Sequence, residues 1–219
     1  MIQMGRFGDW INRQRHNRGY GVQSPSAFFF VTQVLKERLP YYAYPTLNTI
    51  AKEEHRSARH TQELFRITNH HNPANIIAIG SATAACAMTM AKPTVKSYCI
   101  TATKASEKAE KTLADHNCGI LQGDNIKENF TKALNDVKQI GMLYIADIPQ
   151  RAELLETALR YTNSESIIVI EGIHRDKATA AWWQTVIDNP KTIITYDLYS
   201  YGLLYFNKER YKQNYTLKR

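Results

Sequence analysis

Ile76-Ile77-Ala78-Ile79-Gly80-Ser81-Ala82-Thr83-Ala84 is the stretch that decides the fold. A run of apolar, mostly β-branched residues ends in glycine, and the residues after it are small enough for a helix to start close against the strand it follows. Four more apolar runs bounded by turn residues come after it, at Ser97–Thr101, Ile120–Gly123, Met142–Ala146 and Ile167–Glu171. Helix-length segments separate them. In one, Ile126, Phe130, Ala133, Leu134 and Val137 repeat on one face; in another, Lys104–Asn117, a weaker stripe runs through Ala105, Ala109 and Leu113. Alternating strands and helices need crossover connections, which predicts an α/β fold with a doubly wound, mostly parallel sheet covered by helices on both faces. After Lys191 the rhythm changes: Thr192–Leu198 and Leu203–Phe206, separated by Tyr199-Ser200-Tyr201-Gly202, are too close to enclose a helix. They predict a hairpin or one bent strand, and so an antiparallel edge at the end of the sheet.

Upstream of Asn72-Pro73 the pattern is helical, which divides the chain into an extension or lid, residues 1–72, and a sheet domain, residues 73–219. Phe7, Trp10 and Ile11 among Arg6, Arg13, Arg15 and Arg18 predict a short basic amphipathic helix. Ser24 and Pro25 mark the start of a second, whose stripe Phe28, Val31, Leu35 and Leu39 runs to Pro40. Thr46 to His70 reads as one long helix or two, with Leu47, Ile50, Leu64, Phe65 and Ile67 buried. The aromatic group Phe28, Phe29, Phe30, Tyr41, Tyr42 and Tyr44 offers more apolar surface than one helix buries on one side, so it is expected to cover a cleft or to join two copies of the chain. On the helix after the fifth strand, Trp182 falls in a stripe with Ala178 and Val186 and is expected in the core, with Trp183 more exposed.

Composition narrows the class. The 219 residues are 43% hydrophobic and 22% charged, with 28 Lys+Arg against 20 Asp+Glu, a profile of an ordinary globular chain of net charge +8. Cys86, Cys99 and Cys118 form no CxxC pair, which argues against a disulfide framework or zinc and for a reducing, cytoplasmic setting. His55 and His60 are five apart and off one helical face, a further argument against zinc. No segment approaches the ~20 apolar residues that span a bilayer, and the first residues do not read as a secretion signal. Basic residues among Tyr205, Tyr211 and Tyr215 would suit nucleic acid, but they are dispersed and no RNA-binding module signature accompanies them. A solvated basic surface is the simpler account.

In an open α/β sheet, ligands bind beyond the carboxyl ends of the strands. Those ends carry Gly80, Thr101, Asp124, Asp147 and Glu171. The small residues Gly80–Ala84 either let a ligand approach a helix N-terminus or pack that helix on the sheet. Asp124 reads also as an N-cap for a helix beginning at Asn125, and Asp147 ahead of Pro149 as another. His174 is a candidate general base or an ordinary loop histidine.

The order of these strings resembles the class I S-adenosylmethionine-dependent methyltransferases, in particular an O-methyltransferase-like branch of Bacteroides-type bacteria. The resemblance spans nearly the whole chain. It rests on Gly21-Val22-Gln23-Ser24-Pro25, the turn at Gly80, Gly123-Asp124, Asp147, Ile170-Glu171-Gly172-Ile173-His174 with Ala181-Trp182, Asp197-Leu198, and Gly202-Leu203-Leu204-Tyr205-Phe206. It implies a seven-stranded Rossmann-like sheet with an antiparallel final strand and S-adenosylmethionine as cofactor. That cofactor would contact Gly80, Ser81, Ala82, Thr101, Thr103, Gly123 and Asp124, the last near adenine. Asp147, Glu171 and His174 would face a small-molecule acceptor. Metal-dependent relatives place carboxylates at such strand ends; here Gly172 takes the place of a third oxygen ligand, so no metal is assigned.

The departures are specific. Relatives end the first strand in an acidic residue near a glycine-rich turn and the second in Asp or Glu, which accepts both ribose hydroxyls. This chain has Ala78, Ala82 and Ala84 in the first case and Thr101-Ala102-Thr103 in the second. Threonine hydroxyls supply neither charge nor bidentate geometry. Losing two bonds to a charged group, roughly 1.5–3 kcal/mol each, takes about 3–6 kcal/mol from the roughly 8 kcal/mol of a micromolar site. The expectation is a methyltransferase fold that holds its cofactor weakly, at millimolar affinity or worse. The alternative is a catalytically inactive scaffold or binding protein.

Overall fold

The computed structural model describes residues 24–217. Eight strands form one sheet in the order β3-β2-β1-β4-β5-β7-β6-β8. They are β1 (Asn75–Ile79), β2 (Lys96–Thr101), β3 (Gly119–Gln122), β4 (Met142–Ile145), β5 (Ile167–Glu171), β6 (Ile194–Asp197), β7 (Tyr201–Tyr205) and β8 (Gln213–Thr216). β1 to β5 pair in parallel, and β7 runs antiparallel to both β5 and β6. The five parallel strands stand where the apolar runs placed them. The last hairpin differs from an edge: β7 inserts between β5 and β6, and β8 pairs parallel to β6 beyond it as an eighth strand.

Alternate residues of each central strand feed opposite cores, as a period of two requires. Ile76 and Ala78 face one layer and Ile77 and Ile79 the other. The first layer holds α1 (Pro25–Phe29), which continues as a π-helical segment Phe30–Leu35, then α2 (Tyr44–Glu53), α3 (Ala58–His71), α4 (Ala82–Ala91) and α5 (Glu107–Asp115). The second holds α6 (Ile126–Val137), α7 (Arg151–Ala158) and α8 (Lys177–Asp188). The helices of the extension thus share one apolar cluster with the sheet. The basic segment at Phe7, Trp10 and Ile11 lies outside the described residues. Among those described, no helix is long and apolar enough to cross a membrane.

Two patterns read from the sequence are corrected. The stripe Phe28, Val31, Leu35, Leu39 assumed a regular helix, but the backbone widens to π geometry at Phe30 and the helical run stops at Leu35. The buried face is therefore Ala27, Phe30, Val31 and Val34, while Phe28 and Leu39 are 47% and 65% exposed. The two tryptophans are exchanged: Trp183 is buried and Trp182 only half-buried. The six-membered ring of Trp183 lies against the Cα of Gly202, in the space a side chain at that position would fill.

Gly202→Ala drives a methyl group into the Trp183 ring, and overpacking of this kind is expected to cost about 2 kcal/mol. Urea denaturation checks it. A second expectation concerns pH. Burial holds the His71 imidazole below its usual value of 6.5, so His71 stays neutral in the fold while it charges in the unfolded chain. This contribution is intact above that value and is lost as the pH falls below it, so the melting temperature should drop from pH 7.5 to 5 by less in His71→Gln than in the wild type.

Candidate functional site

The turn after β1 is built by contact with β4. Gly80 has φ +80°, and a Cβ there would stand 2.9 Å from that of Ala146. Its N–H donates to Ile100 O at 2.8 Å, locking the turn to β2. Ser81 caps α4, its Oγ accepting the Ala84 N–H at 3.2 Å. All ten residues of α4 are buried, because alanine lets the helix lie between the sheet and α3. The corner between α2 and α3 then crosses the strand ends. What remains beside Ser81 and Thr83 is a cavity of about 50 Å³, closed by Arg56, His60, Tyr144 and Glu171. The end of α2 is tied down as well, Glu54 Oε1 accepting the Ser106 N–H from the loop after β2 at 2.5 Å.

At the end of β2 the Thr101 hydroxyl turns back on its own loop. It donates to Thr103 O at 2.9 Å and accepts the Thr103 N–H at 3.3 Å. Gly123, with φ +144°, donates its N–H to Thr101 O at 3.0 Å, which sets the ends of β2 and β3 side by side. Asp124 is exposed, and the cap of α6 is Asn125, whose Oδ1 accepts the Glu128 N–H. The alternative reading of Asp124 as that cap is thereby replaced.

Asp147 and Glu171 come together at the ends of β4 and β5, Glu171 Oε2 accepting the Asp147 N–H at 3.4 Å. Each carboxylate already has cationic partners. Asp147 Oδ1 accepts from Arg151 at 2.6 Å and Arg175 at 2.7 Å, and the cap of α7 is Gln150 instead. Arg151 is buried, reaches Glu171 O and Gly172 O as well, and lies 5.3 Å from the ring centroid of Trp182. Gly172, at φ +72°, is the residue Asp147 leans on: a Cβ there would stand 2.6 Å from the carboxylate carbon. Glu171 accepts from Arg56 at 3.4 Å and stands 4.0 Å from His60 Nδ1. The fully buried Tyr144 phenol hydrogen-bonds Glu171, and burial together with that negative charge holds it well above the usual tyrosine range, so it stays protonated.

His174 belongs to a separate pair. Its Nε2 is 2.5 Å from Asp197 Oδ2, and its ring stacks on Tyr199 with planes 12° apart. The carboxylate dyad thus forms without the histidine. Arg56, from the loop between α2 and α3, joins the site with His60 of α3, Tyr144 of β4 and Arg151 of α7; none carries a local sequence signal, and only the fold brings them to the strand ends.

Solved O-methyltransferases have a similar fold. An O-methyltransferase from Bacillus cereus, solved with S-adenosylhomocysteine, superposes with a TM-score of 0.62 at 13% identity, over 81% of this chain and 96% of that one. TomG of Streptomyces achromogenes, an O-methyltransferase of tomaymycin synthesis solved with S-adenosylmethionine, gives 0.59 at 14% identity, over 89% and 98%. No protein-family model matches the chain, and neither does any curated protein. At such identities the likeness defines the fold.

Arg151→Met removes the buried partner of Asp147 and of two carbonyls, and should cost about 3 kcal/mol in chemical denaturation. Arg175→Ala, whose guanidinium is over half exposed, should move the midpoint far less.

Proposed function

We propose that this chain is a methyltransferase-fold protein whose binding of S-adenosylmethionine is lost or reduced to millimolar affinity, so that it acts as a binding protein rather than as an efficient methyl-transfer enzyme. The observation that carries this reading is the cavity of about 50 Å³ at Ser81 and Thr83, where the methionine end of the cofactor would have to lie. Pockets that take a whole molecule of the cofactor's size measure roughly 300–1,000 Å³. The residues at the sugar end agree: Thr101 spends its hydroxyl on Thr103, and the stretch Thr101-Ala102-Thr103 supplies no carboxylate. The residues present do not fit the cofactor. The three cysteines are buried thiols, which suits a reducing, cytoplasmic setting.

One observation favours a second reading, an active methyltransferase acting on a small-molecule hydroxyl beside Asp147 and Glu171. The Arg56–Glu171 pair that closes the crevice is 39% and 19% exposed at its two side chains, and such a pair is worth under about 1 kcal/mol. The corner between α2 and α3 would then open to admit cofactor.

Isothermal titration with S-adenosylmethionine, S-adenosylhomocysteine and adenosine separates the two. The expected result is no binding tighter than millimolar. A dissociation constant in the low micromolar range overturns the first reading, and a gain of tenfold or more in Arg56→Ala alone supports the second.

A further inference from the structure

A larger cavity, of about 800 Å³, opens between the π-helical segment, α3 and the carboxyl ends of β6 and β8. It adjoins the closed crevice through Tyr201, whose ring stacks on His60 and whose hydroxyl donates to Glu63 Oε2 at 2.9 Å. Its floor is apolar: Val31, Leu198 and Leu217 are buried, and Leu35 is half-buried beside them. Its wall is cationic, with Lys36, Arg38, Arg59 and Arg66 against Glu37 and Glu63.

Both acids are answered from within the protein. Glu63, 2% exposed, accepts from Arg59 Nε at 3.1 Å as well as from Tyr201, and Glu37 accepts the Tyr41 hydroxyl at 2.8 Å. Arg66, 6% exposed, is fixed by bonds to Val34 O at 2.7 Å, Leu35 O at 2.9 Å and the Tyr44 hydroxyl oxygen at 3.0 Å. Those bonds use three of the five N–H groups of a guanidinium. Tyr44 accepts from Arg66 at the cavity wall, and Arg59 meets Glu63 through Nε with its side chain 68% exposed at the rim. A fixed donor, Arg66, and an exposed one, Arg59, therefore flank the cavity over an apolar floor.

We infer that this cavity is a binding site for a small organic anion with an apolar body. The anionic group would meet Arg59, Arg66 and Tyr44, and the body would lie on Leu35, Leu198 and Leu217. A cation of the same shape would be rejected by the fixed, desolvated guanidinium of Arg66. This site goes beyond the reading of the cofactor crevice and does not depend on it.

Isothermal titration of the full chain with octanoate and octylammonium, which share an alkyl chain and differ in charge, tests it. Octanoate should bind one per chain, at least tenfold more tightly than octylammonium, and should weaken as salt is raised. Leu35→Trp, which fills the floor, should abolish binding, and Arg59→Gln should weaken it at least fivefold, with circular dichroism melts confirming that both variants fold. Arg38→Gln, an exposed rim change that carries no internal bond, provides a charge test free of folding effects and should weaken octanoate about twofold. Equal affinity for the two amphiphiles, no binding of octanoate, or retention of octanoate by Leu35→Trp overturns the proposal.

Discussion

The close approach of α3 to α4 governs everything at the strand ends. α4 reads Ala-Thr-Ala-Ala-Cys-Ala-Met-Thr-Met-Ala, and none of its residues is exposed. With side chains this small, a second helix can lie over it, and α3 does. Its N-terminal turn then brings Ser57, His60 and Thr61 over Ser81 and Thr83. A helix of larger residues would hold α3 further out and leave the turn after β1 open. Ala82 and Ala84, directly after the turn at Gly80, are among the small residues over which α3 lies.

The charges follow from that closure. Glu171 at the end of β5 is covered by the corner between α2 and α3, and a covered carboxylate needs a counter-charge. Arg56 supplies it from 115 residues away in the chain. Asp147 is in the same position and is answered by Arg151 and Arg175. Both guanidiniums meet the same oxygen, Oδ1, and so hold the carboxylate in place between α7 and the loop after β5. The strand-end acids hold the loops of this protein together; the same acids at an open crevice would face a ligand.

The parallel half of the sheet was legible because five β-branched runs alternate with helical spacing, and a parallel sheet follows from connection length alone. What escaped was set by partners distant in sequence. Trp182 fits a stripe with Ala178 and Val186, yet Trp183 is the buried ring because Gly202, on β7, leaves it room. β8 carries Gln-Asn-Tyr-Thr, mostly exposed at the sheet edge, so no apolar alternation announces it. The helix after Pro25 shifted its buried face when its backbone widened at Phe30, a change no 3.6-residue pattern contains. At the site, the positions of Gly80, Asp147 and Glu171 could be read, but the arginines that neutralise the acids could not.

The rule that places ligands beyond the carboxyl ends of the strands applies along the whole edge of a sheet, and in this chain its two halves have different outcomes. Over β1 and β4 the extension packs tightly against α4, a helix made mostly of alanine and other small residues. Over β6 and β8 it stands off: the π-helical segment ends at Leu35, its last carbonyls are taken by Arg66, and the chain then runs through Pro40 before α2 begins. Arg66 therefore fixes how far the segment can extend over the sheet, and the space left beyond it is the large cavity. Tyr201 separates the two regions with a ring held by His60 on one side and a hydroxyl held by Glu63 on the other. One helix, α3, carries both of those contacts, so the packing that covers Ser81 and Thr83 is the packing that shapes the neighbouring cavity.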